Sequence, residues 1–249
     1  DVDKIGNILV SWSYDRTIRL WDTRDGHLID SITGLTSEFR ALAFSPDSQY
    51  LAAGSTDYHC YVWNWKSGVR IRTYKGHARW VGAVAFSPDG ELVASGSYDR
   101  TVRLWSVHHD QELAVLRNNG HWIVCLRFSP DRQYVAAASV DQTICVWSMY
   151  SLDLIHAFRG HTDIVNCTAF HPQDAILASG SKDGTVRLWN LESGEAFTIR
   201  LEFSVSVDML DFAPDGETLV IGLQDGRIYV WDYREARIVS DWRLATEHN

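Results

Sequence analysis

Residues Gly76–Leu116 read GHARWVGAVAFSPDGELVASGSYDRTVRLWSVHHDQELAVL, and their order decides the fold. Val81–Phe86 is apolar and mostly small or β-branched, the composition of a strand buried on both faces. Ser87-Pro88-Asp89-Gly90 predicts a tight turn, because Pro presets φ and Gly accepts a positive one. Leu92–Ser97 reads as a second short apolar strand. Tyr98-Asp99-Arg100 reads as a second turn, in which the Asp carboxylate can hold nearby backbone N–H groups. Thr101–Trp105 makes a third strand and Glu112–Leu116 a fourth, more polar one. No helical periodicity occurs along the chain.

The same unit recurs. Trp21, Trp63, Trp105, Trp147, Trp189 and Trp231 stand 42 residues apart, and Asp15, Asp57, Asp99, Asp141, Asp183 and Asp225 keep the same step six residues upstream. All five prolines (Pro46, Pro88, Pro130, Pro172, Pro214) obey it too. One supersecondary unit is therefore repeated, and sheets that cannot bury both faces alone stack on one another. The unbroken period predicts a single domain over 1–249, with repeats at about 1–33 (partial), 34–75, 76–117, 118–159, 160–201 and 202–249. Val2 falls at the position of Phe44 and Phe86, so the innermost strand of the first repeat is nearly absent. The expectation is a fragment of a longer chain or a ring sealed by flanking sequence.

The 45% apolar content is ample for a core, and the net charge of −9 argues against nucleic-acid binding, which needs a cationic face. No apolar run reaches membrane-span length. The four cysteines, Cys60, Cys125, Cys145 and Cys167, form no C-x-x-C pair. They read as buried, reduced thiols suited to an intracellular compartment, cytoplasm or nucleus. No phosphate-cradling Gly loop, nucleophile elbow or H-E-x-x-H spacing occurs. His108-His109 reads as an exposed loop pair. No catalytic residue, cofactor, metal or small-molecule substrate is expected, and the recurring Asp residues read as structural.

The Gly-His start, the Ser-x-Asp-x-Thr turn and the Trp-Asp end resemble the WD-repeat β-propellers, and the resemblance covers essentially the whole chain. It implies an all-β fold of six four-stranded blades with the first incomplete, and the family's commoner number makes a larger, seven-bladed parent propeller an alternative. It also implies a buried hydrogen-bonded set in each complete blade: His77, Ser97, Asp99 and Trp105 in the third, His161, Ser181, Asp183 and Trp189 in the fifth. A fully satisfied network of this kind rigidifies a blade. Leu35 and Phe203 replace the His in blades two and six, and Leu223 replaces the Ser in blade six. In blade four Asn119 takes the His position, with Gly120-His121 two residues late. Blades two, four and six should lean on packing instead.

Partners of this family dock where blades differ. The resemblance carries that face to the residue before each turn Asp (Tyr14, Thr56, Tyr98, Val140, Lys182, Gln224). It also carries it to the first-strand entries (Glu38 with Arg40, Trp80 with Gly82, Trp122 with Val124, Ile164 with Asn166, Ser206 with Asp208). Trp80, Tyr98 and Trp122 cluster on adjacent blades with Arg40 nearby, residue types enriched at interface hot spots. They read either as a docking patch for a peptide or protein loop, including one presenting Arg or Lys to the rings, or as rings filling gaps beside a displaced His. Trp12 stands where other blades carry Gly54, Gly96, Ala138, Gly180 and Gly222, and reads as structural.

Two narrower likenesses remain. Thr17–Arg24 (TIRLWDTR) and Arg227–Arg234 (RIYVWDYR) both end Trp-Asp-x-Arg, through Asp22/Arg24 and Asp232/Arg234. This resembles the box by which WD-repeat substrate receptors engage the adaptor of cullin-4 ubiquitin ligases; surface arginines on loops give the same pattern. Val165–Pro172 (VNCTAFHP) is similar to the WD-repeat subunit of a general transcription factor complex. The sensor end of a nucleotide-switching defence protein is a further setting. All readings converge on a non-enzymatic interaction scaffold with a protein or peptide partner.

Overall fold

The computed structural model describes residues 2–3, 6–13, 15–33, 37–200 and 205–243. Tyr14, Leu35 and Phe203 lie outside the described residues. Two compact units are distinguished, Asp1–Leu126 and Arg127–Asn249.

In the first unit, β1 (Ile8–Trp12), β2 (Ile18–Asp22) and β3 (Leu28–Ile32) form a three-stranded sheet, which Val2 touches through one antiparallel bridge to Leu9. The second sheet is β4 (Phe39–Phe44), β5 (Tyr50–Ser55), β6 (His59–Asn64) and β7 (Val69–Lys75). The third is β8 (Val81–Phe86), β9 (Leu92–Ser97), β10 (Val102–Ser106) and β11 (Glu112–Leu116). β12 (Ile123–Phe128) starts the fourth sheet, and the divide between the units falls within this strand. The second unit continues that sheet with β13 (Tyr134–Ser139), β14 (Ile144–Ser148) and β15 (Leu154–Phe158). It adds β16 (Val165–Phe170), β17 (Ile176–Ser181), β18 (Thr185–Asn190) and β19 (Ala196–Arg200), then β20 (Val207–Phe212), β21 (Thr218–Leu223), β22 (Arg227–Asp232) and β23 (Arg237–Arg243). Within each sheet the strands follow chain order. The fold is the all-β blade architecture of a propeller, with three strands in the first blade among the described residues.

Burial follows the composition of each strand. In β5, β9, β13 and β17 every residue after the first is buried, whereas β3 and β23 are largely exposed and β7 is mixed. The small residues of the second strands are demanded by packing. A Cβ added at Gly54, Gly96 or Gly180 would lie 2.4–2.8 Å from Val81, Ile123 or Val207, the residue that opens the next sheet's first strand. Trp12, at the corresponding place in the first sheet, packs into the cluster of Ile18, Leu20, Phe39 and Phe44, the structural role expected of it. Cys60, Cys125, Cys145 and Cys167 are all buried and free. Burial pushes the Cys145 thiol up to about 11, with Asp141 adding to the shift.

Candidate functional site

The third blade carries a complete relay. Trp105 Nε1 donates to Ser95 Oγ at 2.8 Å, Ser95 Oγ meets His77 Nε2 at 2.7 Å, and His77 Nδ1 meets Asp99 Oδ2 at 2.9 Å. With the proton on Nδ1, every donor faces an acceptor along the chain of four. Asp99 also accepts from the Ala78 and Thr101 amides at 2.9 Å and from the Thr101 hydroxyl at 2.6 Å. Burial alone would raise its carboxyl; the bonds from His77 and Thr101 outweigh it and hold the group far below the usual carboxylate range.

The fifth blade repeats the geometry through Trp189, Ser179, His161, Asp183 and Thr185. Burial pulls His161 below its ordinary value despite Asp183. Asp183, which burial would raise, is brought down to about 2 by Thr185, the Thr162 amide and His161.

One expectation is corrected. The serine joining Trp to His is Ser95 or Ser179, not Ser97 or Ser181. Ser97 Oγ instead donates to the Arg79 carbonyl and accepts from the Asp99 amide, and Ser181 does the same with Asp163 and Asp183. Both serines lie on one strand face, since alternate residues share a side. The sequence pattern alone could not choose between them. A signal was nevertheless available, because Ser11, Ser95 and Ser179 recur every 84 residues, with Ala53 and Ala137 between them and Ile221 one step beyond. Ser11 likewise accepts from Trp21 Nε1 at 2.8 Å.

The contact-face positions are set by backbone geometry. In four blades the residue before the turn Asp donates its amide to the carbonyl at the first-strand entry: Thr56 to Glu38, Tyr98 to Trp80, Lys182 to Ile164 and Gln224 to Ser206, at 2.9–3.0 Å. One residue beyond the start of β4, β8, β16 and β20 the register slips, and the extra residue is Arg40, Gly82, Asn166 or Asp208. Such bulges re-aim a side chain out of the ladder, which is how a repeated scaffold exposes a variable residue at a fixed place.

In the first unit these positions form one continuous run. The Arg40 guanidinium lies 5.0 Å from the Trp80 ring centroid. Trp80 meets Tyr98 at 5.6 Å, Tyr98 stacks on Trp122 at 4.4 Å and 3°, and His121 meets Trp122 at 4.8 Å. Gly82 leaves room for the Tyr98 ring, which a Cβ there would meet at 2.7 Å. Trp80 and Trp122 each remain 39% exposed. Arg40 thus supplies from within the chain a cation over Trp80. Lys182 and Gln224 hold the same register on their own blades of the second unit and are exposed. There the bulge residues Asn166 and Asp208 are polar, and Asn166 Nδ2 donates to Ser206 Oγ and the Val207 carbonyl at 3.0 Å.

The two Trp-Asp-x-Arg boxes differ. Arg24 grips Asp22 through Nε at 2.9 Å and through Nη2, and this hydrogen bond holds the Asp22 carboxyl well below its usual range. Asp232 instead caps the Arg234 and Glu235 amides at 2.9 and 2.7 Å, and the Arg234 side chain, 75% exposed, extends toward Glu217 at 4.0 Å. His108 contacts Glu91 at 2.9 Å. Asp22, Asp25 and His27 lie close enough to share a cation, but Arg24 already engages Asp22 and His27 engages Asp25 at 2.6 Å. Among the described residues no helix is long and apolar enough to cross a membrane.

Stacked antiparallel blades, a Trp–Ser–His–Asp relay and variable side chains projected from bulges define a repeat-built interaction domain of the β-propeller class. The family pattern described as "WD domain, G-beta repeat" matches residues 26–64, 68–106, 111–148, 152–190 and 202–232. The chain belongs to this family. It is similar to the WD repeat-containing protein SL1-17 of Schistosoma mansoni, 40% identical over 55 residues (22% of this chain, 18% of the relative). It is 40% identical over 52 residues to the nuclear distribution protein PAC1 of Coccidioides posadasii (strain C735), 21% of this chain and 11% of that protein. It is 46% identical over 57 residues to a U3 small nucleolar RNA-associated protein 21 homolog of Schizosaccharomyces pombe (strain 972 / ATCC 24843), 23% of this chain and 6% of that protein. The matched stretches thus span at most 18% of these curated relatives.

Proposed function

We propose that this chain is a non-enzymatic scaffold, a single WD-repeat domain that seats a peptide or protein loop within a multiprotein assembly of the cytoplasm or nucleus. The observation that carries the reading is the Arg40–Trp80–Tyr98–Trp122 run, with two large rings stacked yet partly open to solvent at positions the family uses for contact. Rings prearranged in this way lose little side-chain freedom on binding. Lys182 and Gln224 extend the same set of positions, as Tyr14 does in the sequence.

A second reading is a receptor for the cullin-4 adaptor. It is favoured by Arg234, which projects from a capped Asp232 turn, whereas Arg24 is engaged by Asp22. Quantitative affinity capture from native extract distinguishes the two. Trp80→Ala/Trp122→Ala, confirmed folded, is expected to lose the bound partners that wild type retains. Loss of a cullin-4 adaptor only from Arg24→Ala/Arg234→Ala would establish the receptor reading. Unfolding by the tryptophan substitutions would sink the docking patch and leave those rings as packing.

A further inference from the structure

One cavity differs in charge from the acidic remainder of the chain. It encloses about 570 Å³ between the entry to β8, the β9–β10 turn and the β11–β12 loop, beside the Tyr98–Trp122 stack. Arg79, Arg100 and Arg117 line it, all exposed, and none of their guanidinium groups makes an ion pair among the described residues. The sole acidic lining residue, Asp99, is engaged by His77, Ala78 and Thr101. Asn119 borders the cavity at 7% exposure, and neither its Oδ1 nor its Nδ2 has a hydrogen-bond partner. Buried carboxamides are ordinarily paired, and a rotation of this one toward the cavity would gain it a partner on a bound ligand.

The repeat itself does not require these charges. The positions equivalent to Arg79 hold His121 and Asp163, and those equivalent to Arg100 hold Gln142 and Gly184. Arg100 sits at φ 72°, a left-handed conformation that Gly184 and Gly226 fill in the fifth and sixth blades. An arginine is kept there against the backbone's preference for glycine.

We propose that this cavity binds the anionic side chain, phosphomonoester or carboxylate, of an acidic peptide segment in the docking partner; the proposal rests on the docking reading above. Guanidinium forks bind such oxyanions through paired, charge-assisted hydrogen bonds. The Asn119 amide donates a further bond, and the stacked rings hold the flanking peptide.

The test uses fluorescein-labelled nine-residue peptide pools, degenerate except at a central phosphoserine, glutamate, serine or lysine, titrated by anisotropy against the whole chain. The phosphoserine pool is expected to bind at least about tenfold tighter than the serine pool, the size of one charged hydrogen bond. Arg100→Gln/Arg117→Gln should bring the pools together. A gap between phosphoserine and glutamate identifies a phosphorylated segment, and parity an acidic one. Displacement of the phosphoserine pool by phenyl phosphate, with none by benzamidine, reads the same site without any substitution. Equal pools in wild type, or a preference that survives the arginine substitutions, would overturn the anion site. If Trp80→Ala/Trp122→Ala still weakened equal pools alike, the docking reading would stand without it. Failure of every pool to bind would overturn both.

Discussion

Blades three and four share a strand pattern, a Pro turn and a Trp-ended third strand, yet they treat the buried polar group at the His position in opposite ways. In blade three, His77 and Ser95 connect Trp105 to Asp99 without an unpaired atom along the relay. In blade four the same positions hold Asn119 and Ala137. The Asp141–Thr143 turn survives, with Thr143 donating to Asp141, but Asn119 is buried with neither amide atom paired. The contrast extends along the chain. Arg19, Arg103 and Arg187 occupy the third strand of odd blades, and Tyr61, Cys145 and Tyr229 that of even ones. In blade two, Tyr61 turns its hydroxyl onto Asp57 at 2.7 Å, with Ser37 donating at 2.9 Å. The structural unit is therefore a 42-residue blade, while the polar device repeats every second blade. The blades without it are free to carry something else at the His position.

The largest effects should fall on that position, with opposite signs. His77→Leu strands the Ser95 hydroxyl, the Trp105 N–H and part of the Asp99 carboxylate in a buried site, and should cost about 3 kcal/mol. Asn119→Leu removes two unpaired polar atoms at similar volume and should stabilise by about 1–2 kcal/mol. Denaturant midpoints of the two variants against wild type measure this. Equal losses from both would mean that Asn119 has partners as good as those of His77. The comparison sharpens if Asn119→Leu also narrows the gap between phosphoserine and serine peptides, because stability would then rise as recognition falls.

The sequence displayed the blades because each strand is short, apolar and bounded by Pro, Gly or Asp, and these local signals do not depend on tertiary context. In the third repeat the reading of Val81–Phe86, Leu92–Ser97 and Glu112–Leu116 coincides with β8, β9 and β11. The family positions at Trp80, Tyr98 and Trp122 were equally accessible, since each stands at a fixed distance from the turn Asp or the first strand of its 42-residue repeat. Ser95 against Ser97 was legible only as the 84-residue recurrence of Ser11, Ser95 and Ser179, because both serines point the same way and the approach of His77 from the preceding loop selects one. Arg79, Arg100 and Arg117 escaped for a related reason. They come from three separate loops, and nothing in a linear sequence shows that they line one cavity. Asn119 was visible as a departure from the pattern, but its unpaired state depends on Ala137 standing where Ser95 stands in blade three.

A smaller effect, read by pH, is expected from blade five. In blade five the folded state holds His161 below its ordinary 6.5 and Asp183 at about 2, below its ordinary 3.8. Both folded values are depressed, so each contribution is present above the unfolded value and is lost as pH falls. The unfolded chain takes up the His161 proton near pH 6.5 while the folded chain does not, so stability should decline from that pH downward. Asp183 adds a second decline below pH 3.8. His161→Asn should start less stable but show a flatter slope between pH 7 and 5, read from thermal midpoints across that range. An unchanged slope would mean that His161 does not carry this acid sensitivity.

The smallest effect concerns the turn that presents Arg100. The same left-handed corner is held by Arg100 in blade three, Gln142 in blade four and Gly184 in blade five, at φ between 71° and 78°. A side chain in this conformation costs about 1 kcal/mol relative to glycine, partly offset by glycine's greater freedom in the unfolded chain. Arg100→Gly should therefore stabilise by roughly 0.5 kcal/mol and Gly184→Arg should destabilise by a similar amount, both read as shifts in denaturant midpoint. The two exchanges are not symmetric in function. Arg100→Gly removes a cation from the cavity and should lower affinity for the phosphoserine pool. Gly184→Arg adds a cation to a blade whose entry residue at the Arg79 position is Asp163, an acid, and so should create no anion preference there. If Gly184→Arg did confer one, a single turn arginine would suffice, and the convergence of three loops on the blade-three cavity would lose its meaning.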